Sequence, residues 1–194
     1  MVITKIEEIA KESFEIYKKQ PIPLILGVVI TLLGSVLIVT APPLLFGFYQ
    51  MCLRAMKNEE IKTMDVFKGF NYFFRSWGIM LVSGIAIVIG FVLLIVPGIL
   101  VMILLQYASI LALYENTGVR ASLKRSYKIA RANLGFSIVL CLLLAIIDGI
   151  GGSITIGIIL TMPFTTLCTC LAVRNLTAKE GKQTIGAINK TKKQ

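Results

Sequence analysis

Apolar and polar positions along this chain separate into long blocks instead of alternating with the period of a soluble helix or strand. Residues 20–53 and 76–114 contain no Asp, Glu, Lys or Arg, and residues 132–173 contain one, Asp148. At about 1.5 Å per residue, each block drawn out as one helix would be roughly 50–63 Å long, against a hydrocarbon core of about 30 Å. Each block therefore predicts two membrane passes. The expected fold class is all-α: a polytopic membrane helix bundle of about six transmembrane helices, arranged as three hairpins with interfacial amphipathic helices.

Glycine and proline place the turns. The pieces "GSVLIVTAPP" (Gly34 to Pro43), "GFVLLIVPG" (Gly90 to Gly98) and "GGSITIGIILTMP" (Gly151 to Pro163) each begin with glycine and reach proline some residues later. Proline suits the first turn of a helix and glycine suits a turn, so Pro42, Pro43, Pro97, Gly98 and Pro163 mark hairpin turns or kinks. The middle turn is expected between Gly90 and Gly98.

These pieces belong to a longer internal repeat. Pro43, Pro97 and Pro163 precede Glu60, Glu115 and Glu180 by 17, 18 and 17 residues. Upstream of the second and third hairpins, "DVFKGFNYFFRSWG" and "SLKRSYKIARANLG" align without gaps, pairing Phe70 with Tyr127 and Gly78 with Gly135. The predicted unit is an amphipathic interfacial helix, a pass, a turn and a second pass. In the third copy Val119, Leu123, Tyr127, Ala130 and Leu134 form an apolar stripe, while Arg120, Lys124, Lys128 and Arg131 form a basic one suited to anionic lipid headgroups. The expected organisation is an N-terminal interfacial helix (1–20), a membrane domain of three hairpins (21–180) and a basic flexible tail (181–194).

The order "PGIL…Y…LALYE", then a basic "ASLKRSYKIA" helix, then a glycine-rich pass and "TMPF", resembles the six-span membrane proteins of the YciC-like and related domain-of-unknown-function groups. It is also similar to the membrane domain fused to some glycerophosphodiester phosphodiesterases. The resemblance covers most of residues 20–176 and implies a six-helix membrane fold of bacteria or archaea. It carries no established activity, so it assigns no functional residue, and the phosphodiesterase catalytic domain has no counterpart in these residues.

Composition agrees with lipid as the solvent: 56% of the residues are hydrophobic and only 15% charged, where soluble domains have about a quarter charged. The net charge of +10 does not suggest nucleic acid, because all twenty Lys and Arg residues lie between or beyond the apolar blocks. The positive-inside rule places such segments in the cytoplasm, and with them both termini of a multi-pass plasma-membrane protein. The first twenty residues lack the basic-then-apolar layout of a cleavable signal. Histidine is absent, which removes the commonest general base and zinc ligand. Cys52, Cys141, Cys168 and Cys170 have neither zinc nor thioredoxin spacing and are expected to be reduced core residues. No Walker loop, nucleophile elbow or metal-ligand motif occurs, so no catalytic residue, cofactor or metal is assigned and a non-enzyme is expected.

Two sets of residues carry candidate chemistry within the membrane. Asp148 reads as a surface turn, as a coupling group for a proton or cation, or as an interhelical hydrogen-bonding group. Pro43 to Arg54 and Pro163 to Arg174 each span 11 residues, about 16 Å of helix. Helices starting at these prolines would begin near mid-membrane and leave irregular backbone at depth, with Gln50, Gln106, Thr165, Thr166 and Thr169 as polar lining; continuous kinked helices are the alternative. Small residues four apart, such as Gly27, Thr31 and Ser35, are expected to be packing faces. Function then divides between two classes. The favoured one is a membrane-embedded scaffold that contacts anionic phospholipid, a protein partner or a second copy of the chain; the alternative is a transporter or channel for a small solute, ion or lipid.

Overall fold

Ile6, Ile9, Ser13 and Ile16 share the buried face of the first helix, α1 (Val2–Lys19), in the computed structural model, which describes residues 2–153 and 157–191, with side chains for 5–153 and 157–180. Glu7, Glu8, Lys11, Glu15 and Lys18 line its exposed side, the division expected of an interfacial helix. The chain then bends by 93° into α2 (Pro21–Gly34). Pro21 sits at the first helical position, where its missing N–H is not needed. Gln20 fastens the bend: its side-chain amide donates to the Glu59 carbonyl at 2.8 Å and its oxygen accepts from the Ile61 N–H at 3.0 Å.

Three helical hairpins follow, in the order the repeat predicts. The first joins α2 to α3 (Ala41–Met56). The second joins α4 (Phe73–Leu93) to α5 (Ile95–Leu105) and α6 (Ala108–Tyr114). The third joins α8 (Leu134–Ser153) to α9 (Gly157–Thr191). A 3₁₀ helix (Thr63–Tyr72) precedes α4, and the basic α7 (Val119–Ala132) precedes α8. No strand occurs among the described residues.

Among the described residues four stretches are long and apolar enough to cross a membrane: Thr63–Leu93, Ile95–Tyr114, Leu134–Ser153 and Gly157–Glu180; the bent α1–α2 pair makes a fifth if counted as one span. The apolar residues of α4 and α8 point outward, with only 17% of each apolar window buried. Such surfaces are stable only in lipid, and the chain is a membrane protein.

A glycine fits each tip where the two helices of a hairpin first meet. A Cβ on Gly90 would come 2.9 Å from the Gly98 Cα, and one on Gly157 would come 2.5 Å from the Gly151 carbonyl oxygen. A Cβ on Gly34 would run into the Leu44 side chain. The middle turn lies inside the expected Gly90–Gly98 interval and needs no polar side chain. Leu94 alone leaves the helical conformation (φ −170°, ψ 156°), its N–H still donates to the Gly90 carbonyl at 3.1 Å, and its carbonyl accepts from the Gly98 N–H at 3.3 Å. Pro97 occupies the first turn of α5, and Pro42 and Pro43 the first turn of α3. Pro163 instead lies inside α9, so the third turn is upstream of it. α9 continues to Thr191, so residues 181–191, expected as a tail, have helical backbone; residues such as Ala178, Lys179 and Lys182 favour the helix. Residues 192–194 lie outside the described residues.

The first hairpin does not run beside the second to a common depth. The Trp77 indole donates to the Val39 carbonyl at 3.0 Å, which fixes the tip of the first hairpin to the beginning of α4. Nearby Arg75 reaches the Asn116 side chain at 2.9 Å, where α6 ends. Leu94, the tip of the second hairpin, is 17 residues beyond Trp77, about 25 Å along α4. α2 and α3, of 14 and 16 residues, are also about 21 and 24 Å long, short of a 30 Å core.

Contacts between charged segments gather them at one end of the molecule. Arg174 of α9 bonds Glu12 of α1 at 2.7 Å. Lys19 reaches Asn58 at 2.7 Å, and Lys179 reaches Asn133 at 3.3 Å. Arg125 pairs with both Glu115 and Glu180, two glutamates that occupy equivalent positions in the repeat. Arg54 meets Glu59 at 2.9 Å and Asp65 at 2.7 Å, and Asp65 also accepts from Lys68 at 2.6 Å and from the Lys62 N–H at 3.0 Å.

Candidate functional site

Polar side chains from three hairpins converge on an open cleft of ≈ 270 Å³ between the helices, with Tyr49, Gln106 and Ser109 half-buried and Asp148 exposed at its edge. α8 contributes Asp148, α9 contributes Thr165, Thr166 and Thr169, the α5–α6 segment contributes Gln106 and Ser109, and α3 contributes Tyr49. The 17-residue step from Asp148 to Thr165 crosses the third hairpin, and the Thr165 hydroxyl donates to Asp148 Oδ1 at 3.2 Å. Asp148 is helical, so the reading of "IIDGIGG" as a surface turn holds for its exposure but not for the turn: four residues of helix separate it from Ser153, and of the three glycines Gly151 packs closely, against Thr161, while nothing lies within 4 Å of a Cβ at Gly149 or Gly152. It lies 15 residues beyond Asn133, about 22 Å along α8.

The irregular backbone at depth is at Gln106–Tyr107, between α5 and α6, and not at the prolines. Neighbouring helices hold it in place, and one of them satisfies the freed Leu104 carbonyl. Ser126 of α7 donates to the Leu104 carbonyl at 2.8 Å, the Gln106 side chain donates to the Ser137 carbonyl at 3.2 Å, and the buried Tyr107 hydroxyl meets Ser137 Oγ at 3.1 Å. A break in a span requires this kind of replacement partner, because hydrocarbon offers none.

Of the polar lining expected from sequence, Gln106, Thr165, Thr166 and Thr169 meet at the cavity together with Asp148. Gln50 is elsewhere: its Oε1 is buried without a hydrogen-bond partner among the described residues. Tyr49 and Ser109 complete the lining and were not legible beforehand, since a lone Tyr or Ser in an apolar helix has no periodic signature. A second cavity of ≈ 350 Å³ adjoins the first through the same Tyr49, Gln106 and Ser109, with walls that include Phe46, Ile79, Ile87 and Met102.

A separate arrangement lies at the charged end. Arg120, Lys124, Lys128 and Arg131 are all exposed along α7. Among the described residues none of the four forms an ion pair; Arg131 instead covers the Tyr127 ring at 5.8 Å and donates to its hydroxyl at 2.9 Å. Arg125 is the exception on this helix, turned inward to its two glutamates. The face of α7 that packs on the bundle is centred on Ser122, Ser126, Ile129 and Ala130. This corrects the expected apolar stripe: Val119 and Leu123 are half-buried and Tyr127 is exposed, because the small serines allow close approach to α5 and α6.

The four cysteines are free thiols; Cys52, Cys168 and Cys170 are buried. Among the described residues no three His, Cys, Asp or Glu side chains converge in a way that could hold a metal. No family model, no curated protein and no solved structure matches this chain.

Proposed function

We propose that this protein is a non-catalytic membrane-embedded component that keeps its charged end in the cytoplasm and uses α7 to hold anionic phospholipid at the membrane surface. The observation that carries the reading is the exposed row Arg120, Lys124, Lys128 and Arg131, four cations without carboxylate partners among the described residues, on a helix anchored to the bundle by its opposite face. A basic residue near an anionic leaflet contributes about 1 kcal/mol of attraction, so four together favour retention of anionic over zwitterionic lipid. The gathering of charged segments at one end supports a cytoplasmic location for both termini, by the positive-inside rule. A YciC-like membrane protein fits the same picture.

The test is native mass spectrometry of protein extracted from membranes containing phosphatidylglycerol and phosphatidylethanolamine. The wild type is expected to retain phosphatidylglycerol, and the variant with Arg120→Gln, Lys124→Gln, Lys128→Gln and Arg131→Gln to lose most of it without unfolding. Equal retention by the two proteins refutes the proposal. The transport reading draws on a different observation, the polar cavity beside Asp148. A solute-dependent flux in proteoliposomes, abolished by Asp148→Asn, would favour it over a scaffold.

A further inference from the structure

Asp148 is the one Asp, Glu, Lys or Arg in a block of 42 residues, and among the described residues its one hydrogen bond comes from Thr165. No Lys or Arg lies within ion-pair distance of it among the described residues. Asp148 is exposed at the edge of the cleft, five residues from the end of α8, and a carboxylate within a membrane span favours a cationic partner. The cavity it borders offers hydroxyl and amide groups from Tyr49, Gln106, Ser109, Thr165 and Thr169 and no cationic side chain.

We propose that the two adjacent cavities form one binding site for an amphipathic organic monocation, with its ammonium head beside Asp148 and its apolar part in the lobe lined by Phe46, Ile79, Ile87 and Met102. Four features select this class. One carboxylate balances one positive charge, whereas a divalent metal such as calcium takes six to eight oxygen ligands and usually several carboxylates. The polar lobe of ≈ 270 Å³ has the volume of about nine water molecules in the liquid, far more than a dehydrated metal ion fills. The adjoining lobe of ≈ 350 Å³ is predominantly apolar yet shares Tyr49, Gln106 and Ser109 with the polar one, so an apolar and a polar lobe lie side by side. An aromatic side chain where the lobes join suits an ammonium group, through its ring quadrupole. The inference concerns occupancy of the site and holds whether the protein is a scaffold or a carrier.

The experiment uses the full chain in phosphatidylcholine nanodiscs, with saturation binding of radiolabelled hexyltrimethylammonium. Saturable binding is expected, displaced by unlabelled hexyltrimethylammonium much better than by hexanol or sodium ions. Asp148→Asn should weaken it at least tenfold, and Ile87→Trp, which narrows the apolar lobe, should weaken the hexyl compound while sparing tetramethylammonium. Unsaturable uptake, equal displacement by hexanol, displacement by millimolar sodium, or undiminished binding in a folded Asp148→Asn protein would each overturn the proposal. The comparison of cation with alcohol on the unmodified protein remains decisive if a variant fails to fold.

Discussion

The contact between α3 and the 3₁₀ helix is a backbone contact, and replacing Gly47 with alanine should break it. A Cβ on Gly47 would lie 1.7 Å from the Val66 carbonyl oxygen, and one on Gly69 would lie 1.9 Å from the Pro43 carbonyl oxygen and 2.4 Å from the Gly47 nitrogen. Neither obstacle is a flexible side chain that could rotate away. To bring the first distance even to 3.0 Å, the two helices must separate by at least about 1.3 Å, enough to forfeit much of the dispersion energy along the interface. Overpacking of this kind costs about 1–3 kcal/mol where the surroundings yield, and a backbone obstacle puts Gly47→Ala near the top, at about 3 kcal/mol. The gain in helix propensity from Gly to Ala, up to about 1 kcal/mol, offsets only part of it. For a chain of this length the net loss should lower the melting temperature by on the order of 5–10 °C. The assay is thermal unfolding of detergent-solubilised protein followed with a thiol-reactive fluorophore, since Cys52, Cys168 and Cys170 are buried until the bundle opens. Gly84→Ala is the control, because nothing lies within 4 Å of its Cβ position. If Gly47→Ala and Gly84→Ala melt together, the close approach of the backbones is not what holds the first hairpin.

Other consequences can be measured in the same preparation. Tyr107→Phe removes the buried hydrogen bond to Ser137 and leaves its hydroxyl partner inside, so a loss of about 1 kcal/mol, or on the order of 2–4 °C, is expected in the melting assay. Arg125→Gln withdraws the cation shared by Glu115 and Glu180, whose side chains are 25% and 18% exposed; about 2 kcal/mol should be lost, and Lys11→Gln, on a fully exposed pair, should lose almost nothing. Spin labels at Ile38→Cys and Leu94→Cys, in a background without native cysteines, should report different depths, with the first close to the charged end and the second about 25 Å further along α4. Equal depth for the two tips would refute the unequal hairpins.

Much of the architecture was legible because lipid imposes few rules. Hydrocarbon forbids unpaired backbone and charge, so the charge-free blocks had to be helices, their lengths called for turns, and the flanking Lys and Arg marked one end. The glycine that opens each turn piece could be located in advance, since only glycine lets two helices meet at a tight tip. Depth was not legible. That the first hairpin stops beside Trp77 depends on a long 3₁₀ helix lying along α3, through Gly47 and Gly69, and a contact between residues 22 apart leaves no periodicity to read. The candidate site divided in the same way. Gln106, Asp148 and the three threonines stood out as polar residues in apolar runs, while Tyr49 and Ser109 joined them only because α3 and α6 cross at that level. The inward turn of Arg125, against four outward neighbours on the same helix, also required the tertiary structure, because the two glutamates that hold it come from 10 residues before it and 55 after it. The sequence by itself determined the solvent, the helices and their turns, for these follow from local composition and the cost of burying polar groups. Only the fold decided which polar groups meet, because that depends on how helices distant in sequence pack.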